Sequence, residues 1–137
     1  MATAPVASRP VPVYLLAGIR IFNGAAGLLA PELLIRRFEP DRDPPSPAAV
    51  YAFRLFGIRT ILLGLDLLTH SGEQLREDLR EGILIHGSDT VTAATLGIHG
   101  QVSPRTAVMT TLISAVNTAL AVSATAALAD AAKDKPT

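Results

Sequence analysis

Residues 51–70, YAFRLFGIRTILLGLDLLTH, form a long apolar run with three charges, Arg54, Arg59 and Asp66, set inside it. A segment this apolar is covered on most sides by protein or lipid, and a charge held there without a partner is costly. The rest of the chain has to answer those charges, so its three other apolar segments are read as the partners of this one.

The first of them, residues 13–30, VYLLAGIRIFNGAAGLLA, is just long enough as a helix rising about 1.5 Å per residue to cross a hydrocarbon layer of about 30 Å. Arg9 precedes it, but the run carries Arg20 and Asn23 and lacks a convincing small-residue cleavage site. It therefore reads as a retained first span rather than a signal peptide. Pro31 suits the first turn of a new short helix, PELLIRRF, expected to lie in the interface with Leu33, Leu34 and Phe38 down and Arg36 and Arg37 among the headgroups. The following EPDRDPPSP is a loop by composition.

After residues 49–69, Ser71-Gly72-Glu73-Gln74 has the spacing of a capping box opening the next helix. That helix begins polar, GEQLREDLREG, and turns apolar over residues 83–98, as if its first turns lay in water. Gly100 to Pro104 reads as a turn, with Ser103-Pro104 starting the last apolar segment, residues 106–128, which is rich in Ala, Thr, Ser and Val and holds no charge. Over that segment the only polar groups are Thr, Ser and Asn, which can bond their own helix or a neighbour in lipid. This weighs against a soluble bundle, where a polar stripe is needed.

The expectation is all-α: a four-helix transmembrane bundle with a short interfacial helix after span 1. It forms one domain over residues 13–128, between a disordered or surface tail (1–12) and a soluble tail (129–137). Four spans put both termini on one side of the plasma (inner) membrane. By sequence that side holds Arg9, Arg76, Arg80, Lys133 and Lys135, and the other Arg36, Arg37, Arg42 and Arg105. The near-even split leans towards cytoplasmic termini.

Composition narrows the functional classes. Twelve basic and twelve acidic residues give a formal net charge of zero, so there is no basic footprint for nucleic acid. No cysteine means no disulfide framework and no thiolate chemistry. The polar groups at span depth are Arg20 and Asn23, then Arg54, Arg59 and Asp66, then His86, Ser88 and Asp89, then Asn117. Arg59 and Asp66 share a helix face but stand about 10 Å apart along the axis, so each looks to another helix, with Asp89 the expected partner of an arginine. The cluster is read first as an interhelical packing network and second as a polar pocket. Gly57 and Gly64, and Gly87, Ala94 and Gly97, form small-residue ridges that let helices approach closely.

Neither a metal nor a cofactor is expected. His86 and Asp89, at i and i+3, could converge, but His99 is out of phase and His70 lies at the far end of its span, so no closed ligand set emerges. No nucleophile motif or phosphate loop is present. A membrane enzyme using His86 and Asp89 as an acid/base pair is the weakest reading. A non-enzymatic accessory or interaction subunit, held to the lipid bilayer and to a larger membrane-protein partner or to copies of itself, is the leading one. The alternative is a small carrier or binding protein for a lipophilic or anionic ligand met by Arg20, Arg54 and Arg59.

Ala17-Gly18-Ile19-Arg20 leading into Gly27-Leu28-Leu29-Ala30-Pro31, and Phe53-Arg54-Leu55-Phe56-Gly57-Ile58-Arg59 leading into Leu63-Gly64, carry a resemblance. Over residues 13–128 the chain resembles the small uncharacterised bacterial four-span membrane proteins grouped as a domain of unknown function. In those, span one tends to end in Leu-Leu-x-Pro and span two tends to carry Arg-x-x-Gly-x-Arg. Thr60 stands where that group would place an acidic residue. The resemblance implies four membrane helices and no activity.

Overall fold

The computed structural model describes residues 9–41 and 43–133. Residues 1–8 and 134–137, which hold most of the expected N-terminal tail and the end of the C-terminal one, lie outside the described residues. Within them the chain is all-α, with five helices: α1 (Val11–Leu29), α2 (Pro31–Phe38), α3 (Pro47–Thr69), α4 (Gly72–Ile98) and α5 (Pro104–Lys133).

Local chemistry sets the boundaries. Ala30 precedes Pro31, whose ring disfavours a helical conformation in the residue before it, and Ala30 sits at φ −132° where α1 stops. Pro31 then opens α2, with Glu32 in its first turn and Arg36 and Arg37 in its last, each complementing the helix dipole. Ser46 caps α3 by accepting from the Ala49 N–H at 3.2 Å, and Pro47 occupies its first turn. Ser103 caps α5 in the same way, its Oγ accepting from the Thr106 N–H at 3.1 Å.

The end of α4 is a Schellman motif. Gly100 adopts φ +65°, its N–H donates to Gly97 O at 3.0 Å, and the Gln101 N–H donates to Leu96 O at 2.9 Å. The expected capping box at the start of α4 does not form. Ser71 is the cap residue by position but its side chain makes no cap bond. Gly72, the first residue of α4, has φ +61°, so the helix does not start with the regular geometry that a capping box requires.

The four long helices pack as two close pairs, α1 with α3 and α4 with α5, joined mainly where α1 meets α5. Along the α1–α3 seam the backbones nearly touch: a Cβ on Gly57 would sit 2.5 Å from Leu28 N and 2.6 Å from Gly24 O. At the other level of the seam, a Cβ on Gly64 would stand 3.0 Å from Ala17 O. The apolar core is concentrated at one end, where Val13, Leu16, Ala17, Leu67, Leu75, Leu79, Ala121 and Ala124 are buried together and Leu128 packs on them. The start of α1 and the end of α5 therefore share that end of the bundle. At the opposite end α2 turns Ile35 and Phe38 inward and leaves Leu33 exposed, so Phe38 belongs to the interior rather than to an outer surface. Its ring lies 6.0 Å from that of Phe53, and the Thr106 hydroxyl donates to its carbonyl at 3.1 Å.

Three of these helices, not four, are long and apolar enough to cross a membrane: α1, α3 and α5. Although α4 is long enough, Glu73, Arg76, Glu77, Asp78, Arg80 and Glu81 crowd its first half, and His86, Asp89 and several Gly, Ser and Thr dilute its second. The apolar helices turn much of their hydrophobic surface outward. Phe22, Leu55, Leu62, Leu112 and Val116 are among the large apolar side chains exposed on α1, α3 and α5.

Candidate functional site

The site grows from the buried stripe of α4. Leu75, Asp78, Leu79, Gly82 and His86 are its buried residues, at the three- and four-residue spacing of one helix face. Against this stripe α1 lays Arg20, which is fully buried. Its guanidinium lies over the α-carbon of Gly82, where a side chain would collide with Nη2. Arg20 Nη1 donates to Leu63 O on α3 at 3.4 Å, a long bond, while Nε and Nη2 have no hydrogen-bond partner among the described residues.

No carboxylate among the described residues comes within ion-pair distance of Arg20, and Asp78 acts on it only at longer range. Asp78 is buried and held from its own end of the bundle: His70 Nδ1 lies 2.7 Å from Oδ2, and Gln74 Nε2 donates to Oδ1 at 3.3 Å. The carbonyl of His70 accepts from Arg9 Nη2 at 2.8 Å. Arg9, His70, Asp78 and Arg20 thus form a column of polar groups that leads from one end of the bundle to its interior, past the tight α3–α4 link.

Deeper still, His86 and Asn117 are each 4% exposed. Asn117 Nδ2 donates to Ile113 O at 2.9 Å, whereas its Oδ1 and His86 Nε2 have no partner among the described residues. Asn117 and Asn23 face a shallow open groove between α1 and α5, about 250 Å³, otherwise walled by Ile19, Leu112, Ile113 and Val116. Thr60, 4% exposed, is a buried polar residue on the inward face of α3.

The residues singled out from sequence thus divide into three groups. Arg20, His86 and Asn117 are interior, and Asn23, Asp66 and Asp89 are half-buried. Arg54 and Arg59 are exposed on α3, so the three arginines do not converge. Asp89 pairs with no arginine among the described residues; its Oδ2 lies 4.0 Å from His86 Nδ1 and its side chain is 45% exposed. The register explains this. The link between α3 and α4 is only two residues long, so Asp89 stands level with Ala52, beyond both Arg54 and Arg59, while Asp78 stands level with Leu63, whose carbonyl accepts from Arg20. In addition, α3 packs chiefly on α1 and only lightly on α4.

Of the small residues, Gly57 and Gly64 sit in backbone-close contacts, whereas Gly87 faces open space. Ala94 and Gly97 line an apolar groove of about 480 Å³ between α4 and α5, where a Cβ on Gly97 would stand 2.5 Å from that of Ala107. Asp78, His70, Gln74 and Arg9 are the site residues that sequence reasoning missed. The signal for Asp78 was present: it lies three residues after Leu75 and four before Gly82, inside the apolar stripe rather than on the charged face around it.

Chemically the column holds one guanidinium in the interior and, at longer range, a carboxylate that is itself shared with an imidazole and an amide. Among the described residues no three His, Cys, Asp or Glu side chains come together to hold a metal. Comparison of the chain with protein-family models, curated proteins and solved structures finds no match.

Proposed function

We propose that the protein is an integral membrane protein whose work is done by assembly rather than by catalysis, through the outward face of α3. The observation that carries this reading is Arg59. It stands near the middle of an apolar 23-residue helix, is exposed, makes no ion pair among the described residues, and lies close enough to α4 for its charge to act on the buried His86. A charge at that depth on a lipid-facing surface costs at least about 2.5–3.5 kcal/mol by insertion scales. A partner that covers the face and answers the charge removes that cost.

The membrane part of the proposal rests on the apolar outward surfaces of α1, α3 and α5, which in water would form patches of the kind that associate or aggregate. In this reading α4 completes a four-span bundle. Its charged first turns lie at the aqueous side, and its polar stripe is sheltered by α1 and α5. The contact of Val13 with the cluster on which Leu128 packs brings the start of α1 and the end of α5 to one end of the bundle, which supports termini on one side. An anion carrier built on Arg20, Arg54 and Arg59 gains less support, because one of the three is inside the bundle and two are outside.

The test is fractionation followed by crosslinking. The protein is expected to stay with membranes through alkaline carbonate and to need detergent for release. The chain has no cysteine, so single-cysteine variants report cleanly. Leu62→Cys on α3 should crosslink to a neighbouring protein in membranes, and Phe22→Cys, on the outward face of α1, should not. Recovery from the cytosol without detergent would sink the membrane reading, and equal crosslinking from α1 and α3 would sink the docking face.

A further inference from the structure

The outward face of α3 is a heptad seam. Ala52, Leu55, Arg59, Leu62, Asp66 and Thr69 follow one another at alternating three- and four-residue steps, the spacing that brings two helices together along a stripe. All are exposed except Asp66, which is half-buried, and Leu55 and Leu62 are about half exposed, at 50% and 53%. Inside the bundle α3 uses the opposite face, Gly57, Thr60, Gly64 and Leu67. The seam is therefore left over after the fold is complete, and it carries one cation and one anion that find no ion-pair partner among the described residues.

We infer that the occupant of this seam is a second copy of the chain, docked α3 to α3 in the antiparallel sense. The inference rests on the docking role proposed above for α3. The positions of the two charges select this partner. A two-fold axis crossing the seam between Leu62 and Leu63 sets residue 59 of each copy beside residue 66 of the other, because the two lie symmetrically about that point. One seam thus yields two Arg59–Asp66 pairs, with the two Leu62 side chains within one residue of level at the centre and Leu55 within one residue of level with Thr69 on either side. A parallel pair of the same helices puts Arg59 against Arg59 and Asp66 against Asp66, which like-charge repulsion disfavours. The geometry is isologous and closed, so it ends at a dimer.

In a bilayer, an antiparallel α3 pair requires the two copies to insert in opposite orientations. The distribution of basic residues permits it. In sequence, a four-span count puts Arg9, Arg76, Arg80, Lys133 and Lys135 on one side and Arg36, Arg37, Arg42 and Arg105 on the other. Orientation follows the excess of Lys and Arg, and here there is almost none.

The experiment is copper-catalysed disulfide formation between single-cysteine variants of the full chain in native membranes. Leu62→Cys should give a species at twice the 14.3 kDa chain mass. Leu55→Cys alone should give little, Thr69→Cys alone little, and the two co-expressed should give a strong heterodimer. Arg59→Asp should lower the Leu62→Cys dimer yield by about tenfold, the scale of losing interhelical polar contacts, and adding Asp66→Arg on the same chain should restore it. Strong self-crosslinking of Leu55→Cys would mean a parallel pair and would overturn the inference. An adduct of Leu62→Cys with a different protein would overturn the second copy while leaving α3 as a docking face. No adduct from any seam position would remove both.

Discussion

The guanidinium of Arg20 on α1 fills the space that any side chain on Gly82 of α4 would need. The contact couples the two helix pairs, because α1 belongs to one and α4 to the other. It also sets what each position tolerates. Arg20 is fully buried and tethered through Leu63 O, so it has little freedom to yield.

Gly82→Ala should therefore destabilise the bundle by about 1–3 kcal/mol, the usual cost of overpacking, despite the better helix propensity of alanine. Arg20→Met shortens the side chain at its tip and should relieve the clash, so the double variant should be more stable than the sum of the two single effects predicts. Thermal unfolding of all four proteins in detergent closes the cycle, and strict additivity would show that the two residues do not share that volume.

The glycines of α3 and α4 should respond in opposite ways. A Cβ on Gly57 meets backbone on both sides, at Leu28 N and Gly24 O, so α1 and α3 must part to admit it. Gly57→Ala should cost about 2 kcal/mol or more. Gly87 has nothing within 4 Å, and Gly87→Ala should stabilise by about 0.5–1 kcal/mol through helix propensity alone. The midpoints of denaturation in a common detergent check both signs.

Arg20 and Arg59 look alike in the sequence, each a lone arginine in an apolar helix, and they should separate by experiment. Arg20→Leu changes a fully buried side chain that bonds Leu63 O and packs on Gly82, and should lower the melting temperature of the bundle clearly. Arg59→Leu touches an exposed position, so the melting temperature of detergent-isolated monomer should not fall measurably, while the α3 crosslinks weaken. A large loss of monomer stability in Arg59→Leu would place that arginine inside the fold.

What could be read in the sequence was what depends on near neighbours. Pro31 and the Ser103-Pro104 pair mark helix starts by local stereochemistry, and the loop after Phe38 follows from clustered Pro and Asp. Arg20 and the close-packed Gly57 and Gly64 stand out against apolar surroundings, so their burial was legible too. The inward or outward sense of Arg59 was not, because it depends on whether α3 packs on α1 or α4, a tertiary choice. The capping box at Ser71 failed for a subtler reason: one left-handed glycine, Gly72, opens α4 where the residue pattern alone suggests a regular helix start. Asp78 was hidden by composition, since the charges flanking it on α4 made the whole segment look solvated.

That last miss yields the sharpest test, a comparison of two aspartates on one helix. Asp78 is buried and holds His70 at 2.7 Å and Gln74 at 3.3 Å while facing the field of Arg20. Asp89 is 45% exposed at its side chain and stands 4.0 Å from His86, too far for a hydrogen bond. Replacing a buried carboxylate that holds both His70 and Gln74 strands these two partners, at a cost of about 1–3 kcal/mol. Asp78→Ala should show that loss in full, and Asp78→Asn, which keeps a hydrogen-bonding oxygen for its neighbours, should show less. Asp89→Asn should change stability by no more than about 0.5 kcal/mol. Equilibrium unfolding of the three variants decides the matter: if Asp89→Asn proves the more damaging, Asp89 and not Asp78 is the acid that the interior depends on.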